Sequence, residues 1–329
     1  MPLFRVVGES DVHSLLDAES ALAIARATFR DQAIGHSRLS TPPAMTLDAN
    51  REGGPRFKFK AATVGHLNAS GVRLLARRGG NTGFDACNYT AVYDHDGGVL
   101  SGLVSELWLS RVRTAAFAVA AVEPLVRSGP LTIGLFGSGD IATEMVPLLA
   151  ASLPIAAIRV NSRRAERARA FADKFAGSLH VPVTAEQNPE AVVEGADLVI
   201  TVTESPTPLV QPGWLATGAV LCSMGSYNEV AFGVLGEINR VIVDDPDYAA
   251  DMGDGAAWIA QGHLTPEDFR KRIDAFAADV ITGQSRGRMT ADDRILALVQ
   301  GMAVGDIAFA VHVLRAAETA GCGQVLDLA

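Results

Sequence analysis

The chain has 329 residues, of which 48% are hydrophobic and 20% charged, so it can bury a sizeable core, suits two domains of ordinary size and is not disordered. The net charge is −9 with no basic tail or stripe, which argues against nucleic acid as a partner, because neutralising phosphates needs clustered Lys and Arg. No apolar run approaches ~18 residues and the start Met1-Pro2-Leu3-Phe4-Arg5 has no apolar leader core, so neither a membrane span nor a secretory signal is expected.

Residues 17–32 predict a helix with Ile24, Ala25 and Phe29 on one face. Strand-like pieces follow around Met45 and over 56–62, 72–76, 88–93 and 99–104, punctuated by Pro42-Pro43, Gly53-Gly54, Gly79-Gly80 and Gly97-Gly98. They suggest a mixed or antiparallel sheet with a flanking helix, and 109–122 a second helix leading onward. From Leu131 short apolar runs (131–136, 157–160, 181–184, 198–202, 219–222, 241–243) alternate with helical stretches such as 141–153 and 165–175. Runs this short and aliphatic read as buried parallel strands, and the alternation implies a doubly wound α/β sheet of Rossmann type. Residues 294–320 read as one long amphipathic helix, with no strand after it, that packs back on the first domain. The expected division is therefore a discontinuous α+β domain (1–116 and 305–329) around a dinucleotide-binding domain (117–304). Cys87, Cys222 and Cys322 are far apart and odd in number, which fits a reducing cytosol, and neither they nor the scattered histidines form a metal motif.

Chemistry enters at Ile133-Gly134-Leu135-Phe136-Gly137-Ser138-Gly139-Asp140-Ile141-Ala142, an apolar strand, a G-x-G-x-x-A turn and a helix start. Gly137 permits the tight turn, Gly139 lets the backbone approach a pyrophosphate, and Ala142 lets the helix sit close on the strand. Ser138, Asp140 and Ile141 would present helix N-terminal amides to the phosphates. About 20 residues on, where an acid would bind the ribose hydroxyls of NAD, stand Asn161-Ser162-Arg163-Arg164 and no carboxylate. Ser162, Arg163 and Arg164 could donate to a 2′-phosphate, so NADP(H) is favoured, with NAD(H) the alternative. Asp244, Asp245 and Asp247 read as a polar cap at a strand end, and Glu106 as a helix-start residue or an acid/base.

Several segments together resemble the ornithine cyclodeaminase/mu-crystallin family. Arg113-Thr114-Ala115-Ala116 resembles its "RTAA" helix, Gly80-Asn81 its "PGN", and Gly195-Ala196-Asp197-Leu198-Val199 with Thr201 its "GADIV-T" strand. Trp214-Leu215 with Gly218-Ala219 resembles "WLKPGA", Gly225-Ser226 the "VGS" loop, and Gly301 with Asp306 the C-terminal "G-x-A-x-x-D" helix. The match runs over nearly the whole chain and rests on the order and spacing of these motifs. The resemblance implies a homodimer whose subunits pair a Rossmann domain with a discontinuous substrate and dimerisation domain. It implies interconversion of amino and imino acids through a nicotinamide. It also implies cofactor contacts from Thr114, from Thr201, Val202 and Thr203, and from Met224, Gly225 and Ser226.

The resemblance further implies that Arg113 grips the substrate carboxylate, with Arg38 as a second arginine. A guanidinium fork matches a carboxylate bidentately. Two departures matter. The family lysine position, eight residues before Asn81, holds Arg73, a poor proton donor. In Phe57-Lys58-Phe59-Lys60 both lysines share one face if the segment is extended. Lys60 is thus expected to supply the missing ammonium, with Arg73 as an added anion contact. True cyclodeaminases carry an aspartate just after the glycine loop, where this chain has Tyr227, and Glu229 is two residues away. The expectation is simple hydride transfer, reducing a cyclic ketimine carboxylate or oxidising the amino acid, with Tyr227 near the substrate. A cyclodeaminase using NAD and a nucleotide-binding protein without catalysis remain as alternatives.

Overall fold

The structure is a computed structural model that describes residues 4–48, 56–77 and 88–327. Asn81 and Cys87 lie outside the described residues. The chain divides into two compact units, Met1–Thr114 with Met302–Ala329, and Ala115–Gly301.

The first unit is built on a mixed sheet. Its strands are β1 (Phe4–Val7), β2 (Ser37–Leu39), β3 (Met45–Asp48), β4 (Arg56–Val64), β5 (Ala69–Arg77), β6 (Tyr89–Asp94) and β7 (Val99–Ser105). A final strand, Gln324–Leu326, joins the edge beside β1, and the order runs from it through β1, β7, β6, β5 and β4 to β2, with β3 also on β4. All pairs are antiparallel except β1 with β7. The helices are α1 (Glu9–Val12), α2 (Ala18–Ala33), the start of α3 (Leu107–Val122), and the C-terminal helix Ala303–Ala320.

That last helix is apolar nearly all round and buried along most of its length, as a core helix must be. Two strand glycines let it lie on the sheet: a Cβ on Gly71 would come within 2.5 Å of Ile307 Cδ1, and one on Gly102 within 2.5 Å of Leu314 Cδ2. Asp17 caps α2 by accepting from Ser20 N. Glu9, far away in sequence, accepts from Trp108 N at 2.8 Å and from Ser105 Oγ at 2.6 Å, satisfying a first-turn donor of α3. The expected mixed sheet with a flanking helix is present.

The second unit holds β8 (Leu131–Phe136), β9 (Ile155–Asn161), β10 (Val183–Ala185), β11 (Leu198–Thr201), β12 (Val220–Ser223), β13 (Arg240–Val243), β14 (Ala275–Phe276) and β15 (Ile295–Leu298). They form one parallel sheet in the order β10-β9-β8-β11-β12-β15-β13-β14. β11, β12 and β15 are buried at every position, which explains why they read as unbroken apolar runs. The helices that matter here are α4 (Asp140–Ser152), α5 (Ala165–Ala176), α6 (Pro189–Val193), α7 (Pro246–Asp251) and α8 (Gly253–Ala260).

One expectation is corrected. Residues 294–320 are not a single helix: Ile295–Leu298 is strand β15, Gly301 turns at φ +78°, and the helix starts at Ala303. The strand after that helix, Gln324–Leu326, was likewise not expected.

Candidate functional site

In the second unit, the strand register lines up the carboxyl ends. Asn161, Phe136, Thr201 and Ser223 are successive Cα partners across β9, β8, β11 and β12. The residues read as cofactor contacts, Gly137 to Ile141, Asn161 to Arg164, Thr201 to Thr203 and Met224 to Ser226, lie at this edge or directly follow it. Chain order reverses between β8 and β11, the topological switch where dinucleotides bind on such sheets.

The local geometry fits a pyrophosphate. Gly137 has φ +116°, and a Cβ there would lie 2.6 Å from the Val202 carbonyl, so only glycine makes this turn. A Cβ on Gly139 would meet nothing within 4 Å, which leaves open space over the turn. Gly139 is the N-cap of α4 and no side chain caps it, the arrangement by which a helix N-terminus receives an anion. Ala142 is buried beneath, and Gly134 lets α6 approach, since a Cβ would sit 2.3 Å from the Val192 carbonyl. At the end of β9, the Asn161 side chain donates to the Glu186 carbonyl at 2.8 Å, while Arg163 and Arg164 are exposed. Asp245 caps α7 through Tyr248 N, and Asp244 accepts from Gly301 N, so these acids act as polar caps.

Beyond β12, Tyr227 is half exposed, whereas Glu229 is fully buried. The Glu229 carboxylate accepts from Thr203 N, Thr203 Oγ1 and Gly225 N at 2.6, 2.5 and 2.8 Å. It is held away from solvent.

The first unit carries a second constellation, on the sheet face that the C-terminal helix covers. Lys60, Arg73 and Thr90 are Cα partners across β4, β5 and β6, so their side chains form one row on one face. Lys60 and Arg73 are 6% and 5% exposed, and Arg113 on α3 is 3% exposed. Asp306, in the first turn of the C-terminal helix, pairs with Arg113 Nη2 at 2.5 Å and with Arg73 Nη1 at 3.2 Å. Glu106 pairs with Arg73 Nε at 3.2 Å and accepts from Thr90 Oγ1 at 2.6 Å, and Arg73 Nη2 donates to Ser110 Oγ at 2.6 Å.

Three buried basic residues therefore face two buried carboxylates. Burial pushes the Lys60 amine well below the ordinary lysine range, Arg113, Lys58 and Arg73 push it the same way, and Asp306 opposes them. Burial likewise raises the Glu106 carboxyl to about 7 against the pull of Arg73. An amine that loses its proton easily, beside a fixed guanidinium, is suited to binding an anion and moving a proton.

The structure brings Lys60, Arg73 and Arg113 together but not Arg38. Arg38 is the Cα partner of Thr63, which alternates away from Lys60, so it lies on the opposite face of the sheet. It is exposed there and lines a cleft with His36, Thr63 and His95. The Thr114 hydroxyl donates to the Ser110 carbonyl within α3. In the sequence Asp306 stands out only as part of the C-terminal motif. The signal in the sequence is that it stands among apolar neighbours in the helix, and a buried acid needs cations.

The sheet order, the glycine turn and the uncapped helix define a Rossmann-type fold, the kind that binds dinucleotides. The ornithine cyclodeaminase/mu-crystallin family model matches residues 5–320, and the chain belongs to that family. The Δ(1)-pyrroline-2-carboxylate reductase of Bacillus cereus is 25% identical over 239 residues, 71% of this chain and 72% of its own. Among solved structures, Thermococcus litoralis Δ(1)-pyrroline-2-carboxylate reductase in complex with NADH and L-proline superposes with a TM-score of 0.88 at 18% identity, covering 98% of this chain and 99% of that one. An archaeal alanine dehydrogenase dimer with bound NAD superposes at 0.89 with 20% identity, covering 99% and 100%. Among the described residues no helix is long and apolar enough to cross a membrane.

Proposed function

We propose that the protein is an NAD(P)H-dependent oxidoreductase that reduces an imino acid, a cyclic ketimine carboxylate such as Δ1-pyrroline-2-carboxylate, or oxidises the corresponding amino acid. The observation that carries the reading is the buried row of Lys60 and Arg73 with Arg113, set against Asp306 and Glu106. Its excess of one potential positive charge suits one substrate carboxylate. Arg113 holds that carboxylate. Arg73, tied by Glu106, Asp306 and Ser110, helps fix the Asp306 carboxylate that orients Arg113 and lends positive potential. Lys60 gives its proton to the imine nitrogen, which makes the neighbouring carbon electrophilic, and takes it back in the oxidative direction. The nicotinamide supplies or accepts the hydride. Tyr227 in place of an aspartate favours this chemistry over ring closure with loss of ammonia. The relatives named as pyrroline-carboxylate reductases support the same reading.

The test is oxidation of NADPH and of NADH with Δ1-pyrroline-2-carboxylate and Δ1-piperideine-2-carboxylate, beside ammonia release from ornithine. Turnover of either ketimine is expected. Ammonia release without ketimine reduction would overturn the reading, and silence in every assay would favour a protein that only binds nucleotide.

NADP(H) is the preferred cofactor in this reading, because the end of β9 offers Ser162, Arg163 and Arg164 and no acid. Replacing both arginines by alanine is expected to raise KM for NADPH about tenfold to a hundredfold, the range for losing charge-assisted hydrogen bonds. KM for NADH should stay within about twofold, since NADH lacks the phosphate. An equal rise for both cofactors would mean that the arginines do not read the phosphate.

The protein also acts as a homodimer in this reading. The outer face of the first sheet carries Met45, Leu47, Phe57, Leu74 and Tyr93, which are 57%, 60%, 41%, 37% and 38% exposed. Register places Leu47 opposite Phe57, and Met45 and Leu74 opposite Phe59, so they form one apolar surface. Light scattering should give twice the chain mass of 34.5 kDa. A monomer at micromolar concentration would refute it.

A further inference from the structure

Glu229 has no part in the proton chemistry above, yet it is among the most completely buried charged groups in the second unit. Its carboxylate joins two separate loops. Thr203 N and Thr203 Oγ1 bring the loop that follows β11, and Gly225 N brings the loop that follows β12. Gly225 is required for this contact, since a Cβ there would lie 2.2 Å from the Glu229 carboxyl carbon. The segment that carries Glu229 is itself pinned. Asp254 Oδ1 accepts from Glu229 N at 2.6 Å and from Val230 N at 2.9 Å, while Asp254 Oδ2 accepts from Ser223 Oγ at 2.5 Å. The Glu229 carbonyl accepts from Leu209 N at 2.7 Å. The donors to both carboxylates named here are neutral hydroxyls and amides, so burial is not offset by a cation. Such an arrangement costs stability, which marks it as a place to look for a role.

Position suggests the role. On a sheet of this order the adenosine half of a dinucleotide lies toward the strand after the glycine turn, here β9, and the nicotinamide half lies beyond the switch, over β11 and β12. The loops that Glu229 joins stand at the carboxyl ends of those two strands. The first of them also abuts the glycine turn, where Val202 O closely approaches Gly137.

We propose that Glu229 is a positioning residue that locks the loops following β11 and β12 into the surface that receives the nicotinamide half of the cofactor, with Asp254 holding Glu229 in place. The inference rests on the dinucleotide-binding reading. Glutamine at this position offers one acceptor oxygen where the carboxylate offers two. Its amide group would confront an N–H donor of Thr203 or Gly225. The loops should then separate while the glycine turn and the end of β9 stay as they are.

Calorimetric titration of E229Q with ADP-ribose, its 2′-phosphate, NADH and NADPH separates the two halves. ADP-ribose probes carry no nicotinamide and should bind E229Q within about twofold of the parent, whereas the preferred dinucleotide should bind about tenfold to a hundredfold more weakly. T203V, which keeps the backbone donor and loses the hydroxyl, should shift the same preference by a smaller factor and serves if E229Q does not fold. Equal weakening of ADP-ribose and dinucleotide, or no weakening of either, would reduce Glu229 to a general core clamp. A parent protein that binds none of the four would remove the dinucleotide reading itself, an outcome distinct from failure of the clamp.

Discussion

Alanine at position 113 is expected to lower kcat/KM for a ketimine carboxylate by about a hundredfold to several thousandfold, the equivalent of the roughly 3–5 kcal/mol lost when one partner of a buried ion pair is removed. The Arg113 guanidinium is buried and already oriented by Asp306 at 2.5 Å. A guanidinium held on one side by a fixed acid offers its remaining donors to a second carboxylate without reorganising. Lysine at this position keeps the charge and loses the fork, so it should recover only part of the loss. The variant should remain folded, because Arg73 still pairs with Asp306 at 3.2 Å. The informative control is Δ1-pyrroline, the same ring without the carboxylate. Its slow reduction should be nearly the same in parent and variant, since Arg113 has nothing to hold. Equal losses for the two substrates would mean that Arg113 supports the structure of the site and does not bind the carboxylate.

How much of this was legible in the sequence depends on burial and register. The parallel sheet was readable because strands buried on both faces show as unbroken aliphatic runs, and the glycine turn has a fixed spacing to the strand before it and the helix after it. The same property misled at Ile295–Leu298. A buried run of four residues just ahead of an apolar helix cannot be told from helix by periodicity, and only Gly301 marks the break. Lys60 and Lys58 could be placed on one face by alternation alone. That Lys60 faces Arg73 requires the register of β4 on β5, which the turn at Gly65–Leu67 sets. The side of the sheet on which Arg38 lies likewise depends on its pairing with Thr63, which its spacing from Pro42-Pro43 does not reveal. Asp254 carried no local signal, because its partners Ser223 and Glu229 lie 31 and 25 residues away.

Replacing Lys60 by methionine is expected to reduce the reductive kcat by about a hundredfold to ten-thousandfold, the range for losing a positioned proton donor. Methionine is chosen because it fills the buried position without a charge. The pH dependence gives the sharper test. In the parent, reduction needs the protonated amine, so the rate should fall as pH rises through the lowered Lys60 value, well below the ordinary 10.5. That limb should vanish in the variant. Stability carries a matching sign. Between the lowered value and 10.5 the unfolded chain binds more protons than the folded one, so Lys60 makes stability increase with pH across that window. Glu106 acts oppositely: raised from 4.5 to about 7, it keeps a proton in the folded state, so its contribution falls as pH rises through that interval. The methionine variant should lose the first slope, keep the second, and be more stable than the parent near neutrality. An unreactive anion such as pyrrole-2-carboxylate adds negative charge beside Arg113 and favours the charged lysine, so its binding should draw a proton from solvent, seen as a buffer-dependent binding enthalpy. The variant should bind the same anion without that proton. If it instead keeps the alkaline limb and the proton uptake, both belong to Glu106 or another group, and Lys60 is not the donor.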